Sequence, residues 1–506
     1  MMTEEQDGTI AFLADPATHG GLEPINIIHT HISVIVLVGD RAFKMKKALK
    51  LPYVDFSTAT IREEACRKEV SFNRETAPGL YLGVRRITRS AGGALEFEGD
   101  GPLVDAVVEM TRFEQEQLFD RMAVAGRLTP ALMTEAARMI AEYHGKAPVV
   151  AAGGGADNIA AVLDINDAGF ATSSVFAPET IAALGARFRS VLRRHAPLLD
   201  RRAEGGRVRC CHGDLHLRNI CLLNGKPCLF DCIEFSAQIA TIDVLYDLAF
   251  LLMDLWHRGF PEFANLVMNR YLDETGDEEG FCLLPFFMAV RAAVRAHVTA
   301  TQAEEPGQDL DRLSGEAKSY FDLAQALLGD SAPLLVAIGG LSGSGKSTVA
   351  DCLAPRIGAA PGARMVESDR IRKALHGVPA ETRLPVTAYS PEVSAKVYQE
   401  MVRRAETILA QGGSVVADAV FDDPAKRHLI ENAAAGAGNV PEFLGIWLDA
   451  DPALLMQRVR RRVGGPSDAN ADVLAGQLAR NPTDVAWRHV DASQPPDAIV
   501  AAILCR

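Results

Sequence analysis

A glycine-rich segment in the C-terminal part of the chain directly follows a short apolar run. The run Leu334–Ile338 (LLVAI) is typical of a buried strand, and Gly340–Ser347 (GLSGSGKS) fits G-x-x-x-x-G-K-[ST] at every fixed position. A flexible turn with an exposed lysine is the alternative, but the strand before it and the helical stretch after it favour a phosphate-binding loop. This order of elements restricts the C-terminal part to an α/β fold with a parallel sheet.

Backbone N–H groups of such a loop converge on phosphate oxygens, and the helix that follows points its positive end at them. Lys346 is expected to reach the terminal phosphates of ATP and to assist their transfer, and the Ser347 hydroxyl is expected to hold Mg²⁺. The sequence does not separate ATP from GTP. The predicted nucleotide-binding residues are Gly340, Ser342, Gly343, Ser344, Gly345, Lys346, Ser347 and Thr348.

Acidic residues end two further predicted strands. Residues 364–367 lead into Asp369, and residues 414–417 lead into Asp418. Because the carboxyl ends of parallel strands meet at one edge of a sheet, one acid can help bind Mg²⁺ while the other accepts the proton of an attacking hydroxyl. Either acid can instead cap a helix, and the spacing alone does not separate the two.

A basic cluster follows a fourth predicted strand at 445–448. It comprises Arg458, Arg460, Arg461 and Arg462 and precedes a Gly-Gly-Pro break. An arginine cluster before a glycine hinge suits a lid that closes over the transferring phosphate, with Arg458 and Arg461 neutralising the charge that develops. A solvated basic helix face is the alternative.

On these motifs, the segment from Leu334 onward resembles the P-loop small-molecule kinases, the group that contains gluconate kinases, chloramphenicol phosphotransferase and zeta toxins. In that group the acid after the second strand activates the acceptor hydroxyl. The resemblance therefore implies this role for Asp369 and a place near the acceptor for Arg372, and it leaves Asp418 as a candidate for the metal.

A second motif lies nearer the N-terminus. Residues 211–219 (CHGDLHLRN) contain H-x-D-x-x-x-x-N between β-rich runs, and Asp231 follows. In kinase chemistry such a loop supplies an aspartate that orients the attacking hydroxyl, an asparagine for Mg²⁺ and a second aspartate for the metal that bridges the phosphates. These roles fall to Asp214, Asn219 and Asp231. A capped turn with a core histidine is the alternative, and His212 is expected to be structural rather than a base.

A small strand-rich lobe is predicted upstream of this loop. Residues 32–49 predict a hairpin around Gly39-Asp40, residues 58–75 predict a helix, and residues 103–110 predict a strand. Such a lobe carries a lysine on its third strand and a pairing glutamate on the helix that follows.

Lys44 and Glu69 are the favoured ATP-binding pair in this lobe. Lys46 lies on the same face of the strand as Lys44, because strand side chains alternate, so the choice between the two lysines stays open. Glu63 and Glu64 are alternatives for the glutamate.

Residues from about 27 to 328 resemble the aminoglycoside phosphotransferase and choline kinase branch of the kinase-like fold, and the whole chain resembles bacterial fusions of such a domain with a P-loop domain. The resemblance implies an α+β bilobal domain over 1–330, with a small lobe at about 22–112 and a helical large lobe at about 113–328. An α/β P-loop domain follows over 334–506. One feature departs from the family pattern: no G-x-G-x-x-G precedes Val34, and residues 30–33 occupy the turn.

Charge and composition narrow the class of function. The net charge of −13 opposes binding to nucleic acid, and neither a secretory signal nor an apolar run of membrane-span length is found. A cytoplasmic enzyme with reduced thiols is expected. Five of the nine cysteines fall within 210–232 without a C-x-x-C pair, which favours buried thiols over a zinc site.

The leading hypothesis is that each half binds Mg-ATP and transfers the γ-phosphoryl group to a hydroxyl of a small molecule. A second hypothesis makes the N-terminal half a nucleotide-binding module that regulates the P-loop kinase. A third, a polynucleotide hydroxyl kinase, is opposed by the acidic charge. The sequence identifies neither the acceptor nor the oligomeric state.

Overall fold

The computed structural model describes residues 4–30, 32–51, 54–150, 154–234, 237–305, 307–435, 441–462, 465–480 and 485–505. These residues form two compact units. The first unit takes in the chain through Asn158 together with Leu199–Leu251, and the second takes in Ile159–Leu198 together with the chain from Leu252 onward. The predicted boundary at 329–333 falls inside the second unit, and the division into domains 1–330 and 334–506 stays a prediction.

The secondary structure before residue 330 contains short strands and long helices. The strands are β1 (Ile25–His29), β2 (Ser33–Val38), β3 (Arg41–Lys46), β4 (Lys50–Leu51), β5 (Val54–Asp55), β6 (Tyr81–Arg89), β7 (Leu95–Phe97), β8 (Leu103–Thr111), β9 (Val208–Cys210), β10 (Ile220–Leu223), β11 (Lys226–Leu229) and β12 (Thr241–Asp243). The helices are α1 (Asp7–Ala14), α2 (Ala59–Thr76), α3 (Phe119–Val124), α4 (Pro130–Lys146), α5 (Gly155–Ala171), α6 (Pro178–Glu204), α7 (Ala237–Ala240), α8 (Val244–His257), α9 (Pro261–Thr275), α10 (Leu284–Ala303) and α11 (Leu310–Leu327).

A six-stranded sheet organises the first unit, with strand order β1-β2-β3-β8-β6-β7. The strands pair antiparallel, and β3 lies between β2 and β8, so Lys44 is opposite Ile35 on one side and Val108 on the other. The predicted hairpin, helix and strand all form at β2–β3, α2 and β8. The sequence analysis did not name β1, β6 and β7, which complete the sheet. Thr58 begins α2 by accepting a hydrogen bond from the Ile61 N–H.

The helical part of the second unit includes an unusually apolar helix. Among the described residues, the stretch Glu278–Ala303 is long and apolar enough to cross a membrane by length and composition, with a mean hydropathy of 1.5. This window is 72% buried inside the protein, which is the state of a core helix. No apolar run of membrane-span length was predicted from the sequence.

A parallel sheet follows residue 330 and confirms the α/β architecture that the glycine-rich motif predicted. Its order is β14-β15-β13-β16-β17. The strands are β13 (Leu334–Gly339), β14 (Arg364–Glu367), β15 (Val415–Asp418), β16 (Glu442–Asp449) and β17 (Arg488–Asp491). The helices are α12 (Lys346–Leu353), α13 (Ser368–Leu375), α14 (Pro391–Ala410), α15 (Pro424–Ala435), α16 (Pro452–Arg461), α17 (Ala471–Arg480) and α18 (Pro496–Leu504).

Two glycines let tryptophan rings lie flat against this sheet. A Cβ on Gly339 would stand 2.8 Å from the Trp447 ring, and a Cβ on Gly445 would overlap the Trp487 ring. Strand β13 is buried at every position, because strands flank it on both sides and helices cover its faces. Its last residues therefore deliver the glycine-rich loop from the centre of the sheet.

Candidate active sites

The glycine-rich loop of the second unit joins the centre of the parallel sheet to α12. Gly340, Gly343 and Gly345 all have positive φ angles, of 144°, 87° and 90°. A Cβ on Gly343 would lie 2.6 Å from the Leu455 carbonyl oxygen, and one on Gly340 would lie 2.7 Å from Ser344 Oγ. Only glycine fits this backbone at these positions, and such a glycine-rich turn is the backbone shape that phosphate-binding loops use.

Lys346 begins α12 and folds back over the loop. Its Nζ donates to the carbonyl oxygens of Gly340 at 3.0 Å and Leu341 at 3.2 Å. Burial lowers the pKa of Lys346, and Asp418 and Asp369 oppose that shift. The lysine is thus held by neutral carbonyls, with two carboxylates close enough to act on its charge.

Ser347 and Asp418 meet at the edge of the sheet. Ser347 Oγ donates to Asp418 Oδ2 at 2.5 Å. Burial raises the pKa of Asp418 to about 7, and Lys346 acts against this shift. A hydroxyl and a carboxylate side by side are the hard oxygen donors that Mg²⁺ prefers, so these residues fit the metal position predicted for them.

Asp369 lies in the first turn of α13, close enough to Asp418 for its charge to raise the pKa of that carboxyl. Burial raises the pKa of Asp369, while a hydrogen bond from Ser467 and the charge of Lys346 lower it. Arg372, one turn further on, donates to the Ala388 carbonyl oxygen at 2.8 Å and stacks 4.7 Å over the Tyr389 ring. The two acids thus have different partners: Asp418 accepts a hydrogen bond from the P-loop serine, and Asp369 accepts one from Ser467.

The basic cluster lies on and just after α16. Arg458 is half-buried, and its Nη1 is 4.0 Å from the Cβ position of Gly345, which places it beside the loop. Arg460, Arg461 and Arg462 are exposed, and Arg462 still acts on the charge of Lys346. Part of the predicted Gly-Gly-Pro break lies outside the described residues. Of the two arginines predicted to be catalytic, the structure brings Arg458 to the loop and leaves Arg461 on the surface.

One loop contact had no signal in the sequence. Gln477 Oε1 in α17 accepts a hydrogen bond from the Ser342 N–H at 2.9 Å. Ser342 and Ser344 are buried within the loop, whereas Thr348 is exposed on α12. A glutamine on an amphipathic helix is ordinarily a surface residue, so only the packing of α17 reveals this role.

The first unit holds the second site, in which Lys44 connects two acids. Lys44 Nζ donates to Glu69 Oε1 at 2.8 Å and also pairs with Asp231. Burial acts to lower the pKa of Lys44, but Asp231 and Glu69 raise it well above its ordinary value. Asp231 has a φ of 62°, a left-handed conformation that a non-glycine residue adopts only when its surroundings hold it there.

Lys46 occupies a different environment from Lys44. Its Nζ is 2.5 Å from Glu69 Oε2 and pairs with Glu234, and its side chain is 1% exposed. Glu63 pairs with Arg67 on the outer side of α2, and Glu64 is exposed. The structure therefore brings Lys44 and Glu69 together with Asp231 and places Lys46 behind them.

The loop that carries H-x-D-x-x-x-x-N is folded tightly around its asparagine. Asn219 Nδ2 donates to the carbonyl oxygen and to Oδ2 of Asp214, both at 2.9 Å. The Phe230 N–H donates to the Asn219 carbonyl oxygen at 3.1 Å, which sets Asp231 next to this pair. The fold of this loop thus brings Asp231 to the hydrogen-bonded pair of Asp214 and Asn219.

Asp247 of α8 fixes the start of this loop. Its carboxylate accepts hydrogen bonds from the His212 and Gly213 N–H groups at 3.0 and 2.9 Å, and His144 Nε2 is 3.1 Å away. Burial lowers the pKa of His212, whose Nε2 lies 2.9 Å from the Phe230 carbonyl oxygen. These contacts agree with the structural role predicted for His212, and the sequence analysis did not identify Asp247.

The cysteines of residues 210–232 are free thiols. Cys211, Cys221, Cys228 and Cys232 are buried, and Cys210 is half-buried. Among the described residues, one group of possible metal ligands brings Cys211 within 4.8 Å of His144 and Asp247. Because the Asp247 carboxylate already accepts two backbone N–H groups, this group is sufficiently explained as a hydrogen-bonded core.

Two known families match separate stretches of the chain. The family described as "Phosphotransferase enzyme family" matches residues 92–282, and the family described as "AAA domain" matches residues 335–482. Fold and sites together define a kinase-type chain, in which a bilobal, aminoglycoside-phosphotransferase-like domain precedes an α/β P-loop domain. The fold class and the fusion predicted from the sequence are confirmed.

The chain belongs to the same family as a full-length relative from Mycobacterium tuberculosis (strain H37Rv), an uncharacterized protein to which it is 30% identical over 517 residues, covering 99% of this chain and 98% of that protein. A Mycobacterium bovis protein matches to the same extent.

Two solved structures of kinase-type proteins are similar to shares of the chain. A gluconokinase from Sinorhizobium meliloti 1021 is 23% identical and covers 34% of this chain and 91% of its own, with a TM-score of 0.25. A choline/ethanolamine kinase family protein from Mesorhizobium loti is 14% identical and covers 64% of this chain and 98% of its own, with a TM-score of 0.39.

Proposed function

We propose that the protein is an ATP-dependent phosphotransferase in which each site transfers the γ-phosphoryl group of ATP to a hydroxyl of a small molecule. The observation that carries the proposal is the arrangement around Lys346. A glycine-built phosphate loop, a hydroxyl–carboxylate pair at Ser347 and Asp418, and a second, half-buried acid at Asp369 lie at the same edge of one sheet.

In the P-loop site the acceptor oxygen forms a bond to the γ-phosphorus while the bond from that phosphorus to the bridging oxygen of ADP breaks. Asp369 orients the acceptor hydroxyl and receives its proton. Lys346 exchanges its two carbonyl acceptors for phosphate oxygens, and Arg458 adds positive charge beside the loop. Burial raises the pKa of Asp418 to about 7 because it disfavours the charged carboxylate, so a neighbouring cation would stabilise that charged form.

In the kinase-like site Asp214 orients the acceptor hydroxyl, and Asn219 holds that carboxylate in place. Lys44 releases Asp231 when it binds phosphate oxygens, and Glu69 keeps the lysine aligned. Asn219 and Asp231, like Ser347 and Asp418, would hold Mg²⁺. Bound Mg²⁺ would neutralise charge on the β- and γ-phosphates.

The test is a panel of hydroxyl compounds incubated with the full chain and γ-labelled ATP. The panel covers amino alcohols, sugars, sugar acids and aminoglycosides, and three variants are compared: Asp214→Asn, Lys346→Ala and the double variant. We expect label to reach at least one acceptor, and we expect the double variant to transfer none. Transfer that survives in the double variant would contradict the proposal.

A second candidate function is regulation of the P-loop kinase by a catalytically weak kinase-like site. The observation that favours it is the short β1–β2 connection, where the Ser33 N–H donates to Thr30 Oγ1 at 2.9 Å and no glycine-rich loop is present in the sequence. His31 of this turn lies outside the described residues. If Asp214→Asn leaves all transfer intact while Lys346→Ala abolishes it, regulation is the better account.

A further inference from the structure

A helix that precedes the parallel sheet in sequence packs along one of its two edge strands. Strand β14 is the edge strand, and α9 lies along it. Asn265 Nδ2 donates to the carbonyl oxygens of Pro361 and Ala363, both at 3.0 Å, and Asn269 Oδ1 accepts the Met365 N–H at 2.7 Å. These side chains satisfy backbone groups that another strand would otherwise pair, so the helix is fixed in register with the strand.

The residue after Asn269 extends this contact to the end of the strand. Arg270 Nη1 donates to Glu367 Oε1 at 2.9 Å and to Asp273 Oδ2 at 2.9 Å. Both side chains of the Arg270–Glu367 pair are 5% exposed. Arg370 of α13 also pairs with Glu367 Oε1 at 2.9 Å, so Arg270 is the partner that ties Glu367 to α9, and breaking this buried pair leaves Glu367 held from α13 alone.

Glu367 is placed where a small displacement matters for the P-loop site. It is the last residue of β14 and the N-cap of α13, so Asp369 follows two residues later in the first turn of that helix. In the same sheet Glu367 is the register partner of Asp418. Whatever holds Glu367 therefore holds the start of α13.

We propose that Arg270 is a positioning residue of the P-loop site, which holds Glu367 and thereby sets the position of Asp369 for the acceptor hydroxyl. The inference rests on the role of Asp369 under the proposed function. Helix α9 falls within residues 92–282, the stretch matched by the phosphotransferase family. Arg270, a residue of that stretch, thus supports the site of the P-loop domain.

Arg364 provides the matched comparison. It belongs to the same buried network, with Nη2 at 2.8 Å from Asp273 and 3.0 Å from Glu278, and its side chain is 1% exposed. Arg364 begins β14, however, at the opposite end from Glu367. If Arg270 had only a structural role, Arg270→Lys and Arg364→Lys would lower protein stability and ATP hydrolysis to similar extents.

The test measures ATP hydrolysis and binding of the fluorescent analogue mant-ATP by the full chain carrying Asp214→Asn and Lys44→Met, which together remove acceptor orientation and weaken nucleotide binding at the kinase-like site. Lys346→Ala in this background defines the contribution of the P-loop site. We expect Arg270→Lys to lower Lys346-dependent hydrolysis by about tenfold, because displacements near 1 Å at a reacting group have effects of this size or larger. The mant-ATP dissociation constant should stay within about twofold, since the loop at β13 is untouched.

Arg364→Lys should lower the melting temperature about as much as Arg270→Lys does. It should leave Lys346-dependent hydrolysis within about twofold of the rate without the substitution. Arg270→Met removes the guanidinium altogether, whereas Glu367→Gln keeps an oxygen acceptor for Arg270 and should retain more activity than Arg270→Met. If Arg270→Met does not fold, Glu367→Gln still tests the contact. Equal losses from Arg270→Lys and Arg364→Lys, or parallel loss of mant-ATP binding and hydrolysis, would overturn the inference. If Lys346→Ala itself leaves hydrolysis and binding unchanged, the proposed function fails instead.

Discussion

The two candidate ATP-binding lysines are held by opposite kinds of partner. Lys44 of the first unit pairs with the carboxylates of Glu69 and Asp231, and these raise its pKa against the effect of burial. Lys346 of the second unit donates to two backbone carbonyls, and burial lowers its pKa. One lysine is already neutralised by acids, and the other is held mainly by dipoles.

This difference predicts different responses to a phosphate. An anion that approaches Lys346 displaces only neutral acceptors, so the attraction of the half-buried ammonium is available to it. An anion that approaches Lys44 must compete with Asp231, which then needs a cation of its own. The P-loop site is therefore expected to bind nucleotide more readily, and the kinase-like site is expected to depend more strongly on Mg²⁺.

The largest expected effect is at Lys346. Lys346→Ala should reduce phosphoryl transfer by the P-loop site about a thousandfold, because the variant removes the positive charge that would face the transferring group. Transfer is measured with labelled ATP in the Asp214→Asn background. Lys318→Ala, which removes an exposed lysine from α11, is the control. A loss of less than about tenfold would remove the distinction drawn between the two lysines.

The next effect separates Lys44 from Lys46. Lys46→Met should lower the free energy of unfolding by about 3 kcal/mol, because it leaves the buried carboxylates of Glu69 and Glu234 without this partner. Lys44→Met should destabilise the protein less, since Asp231 is 42% exposed, but it should weaken ATP binding at this site. Urea unfolding followed by circular dichroism gives the first quantity, and titration of the Lys346→Ala variant with ATP gives the second. The reverse ranking would exchange the roles of the two lysines.

A smaller effect compares the glycines of the two catalytic loops. Gly343→Ala should cost about 2 kcal/mol, since φ is 87° and the new Cβ would meet the Leu455 carbonyl oxygen at 2.6 Å. Gly213→Ala should cost about 1 kcal/mol, because φ is 81° but the nearest atom is the end of the Ile233 side chain at 3.1 Å. Melting temperatures of the two variants test the order. Equal shifts would mean that Leu455 moves away.

The smallest expected effect is on the free energy of unfolding at acidic pH. Burial alone would raise the pKa of Asp273, but Arg364, Arg270 and Arg370 lower it to about 2. Since the pKa is depressed in the folded state, the stabilisation is complete above the ordinary pKa near 4 and is lost as the pH falls toward 2. Asp273→Asn should therefore reduce the loss of unfolding free energy between about pH 5 and pH 3 by about 1 kcal/mol, as measured by urea titration. An unchanged slope would show that the arginines do not act on this group.

Sequence predicted the fold through local patterns. The strand before the glycine-rich loop, the hairpin at β2–β3 and the helix α2 all formed where hydrophobic periodicity placed them. The choice between Lys44 and Lys46 could not be made in this way because both side chains lie on one face of β3. What separates them is contact with Asp231 and Glu234, which are 187 and 188 residues away in sequence.

Other site features arise only from tertiary packing. Asp247, Gln477 and Arg270 lie on helices whose sequences are ordinary amphipathic patterns, and none of the three belongs to a motif. Asp369 and Asp418 each follow a strand, so local spacing treats them alike. The contact between Ser347 and Asp418 distinguishes them because β15 lies directly beside β13.

The tryptophans packed against the glycines of the parallel sheet have a practical consequence for spectroscopy. The chain has three tryptophans, Trp256, Trp447 and Trp487, and all of them fall in the second unit. Tryptophan fluorescence, excited selectively at long wavelength, therefore records the melting of that unit alone. A difference between emission and ellipticity transitions would thus separate the two units without labels or truncation.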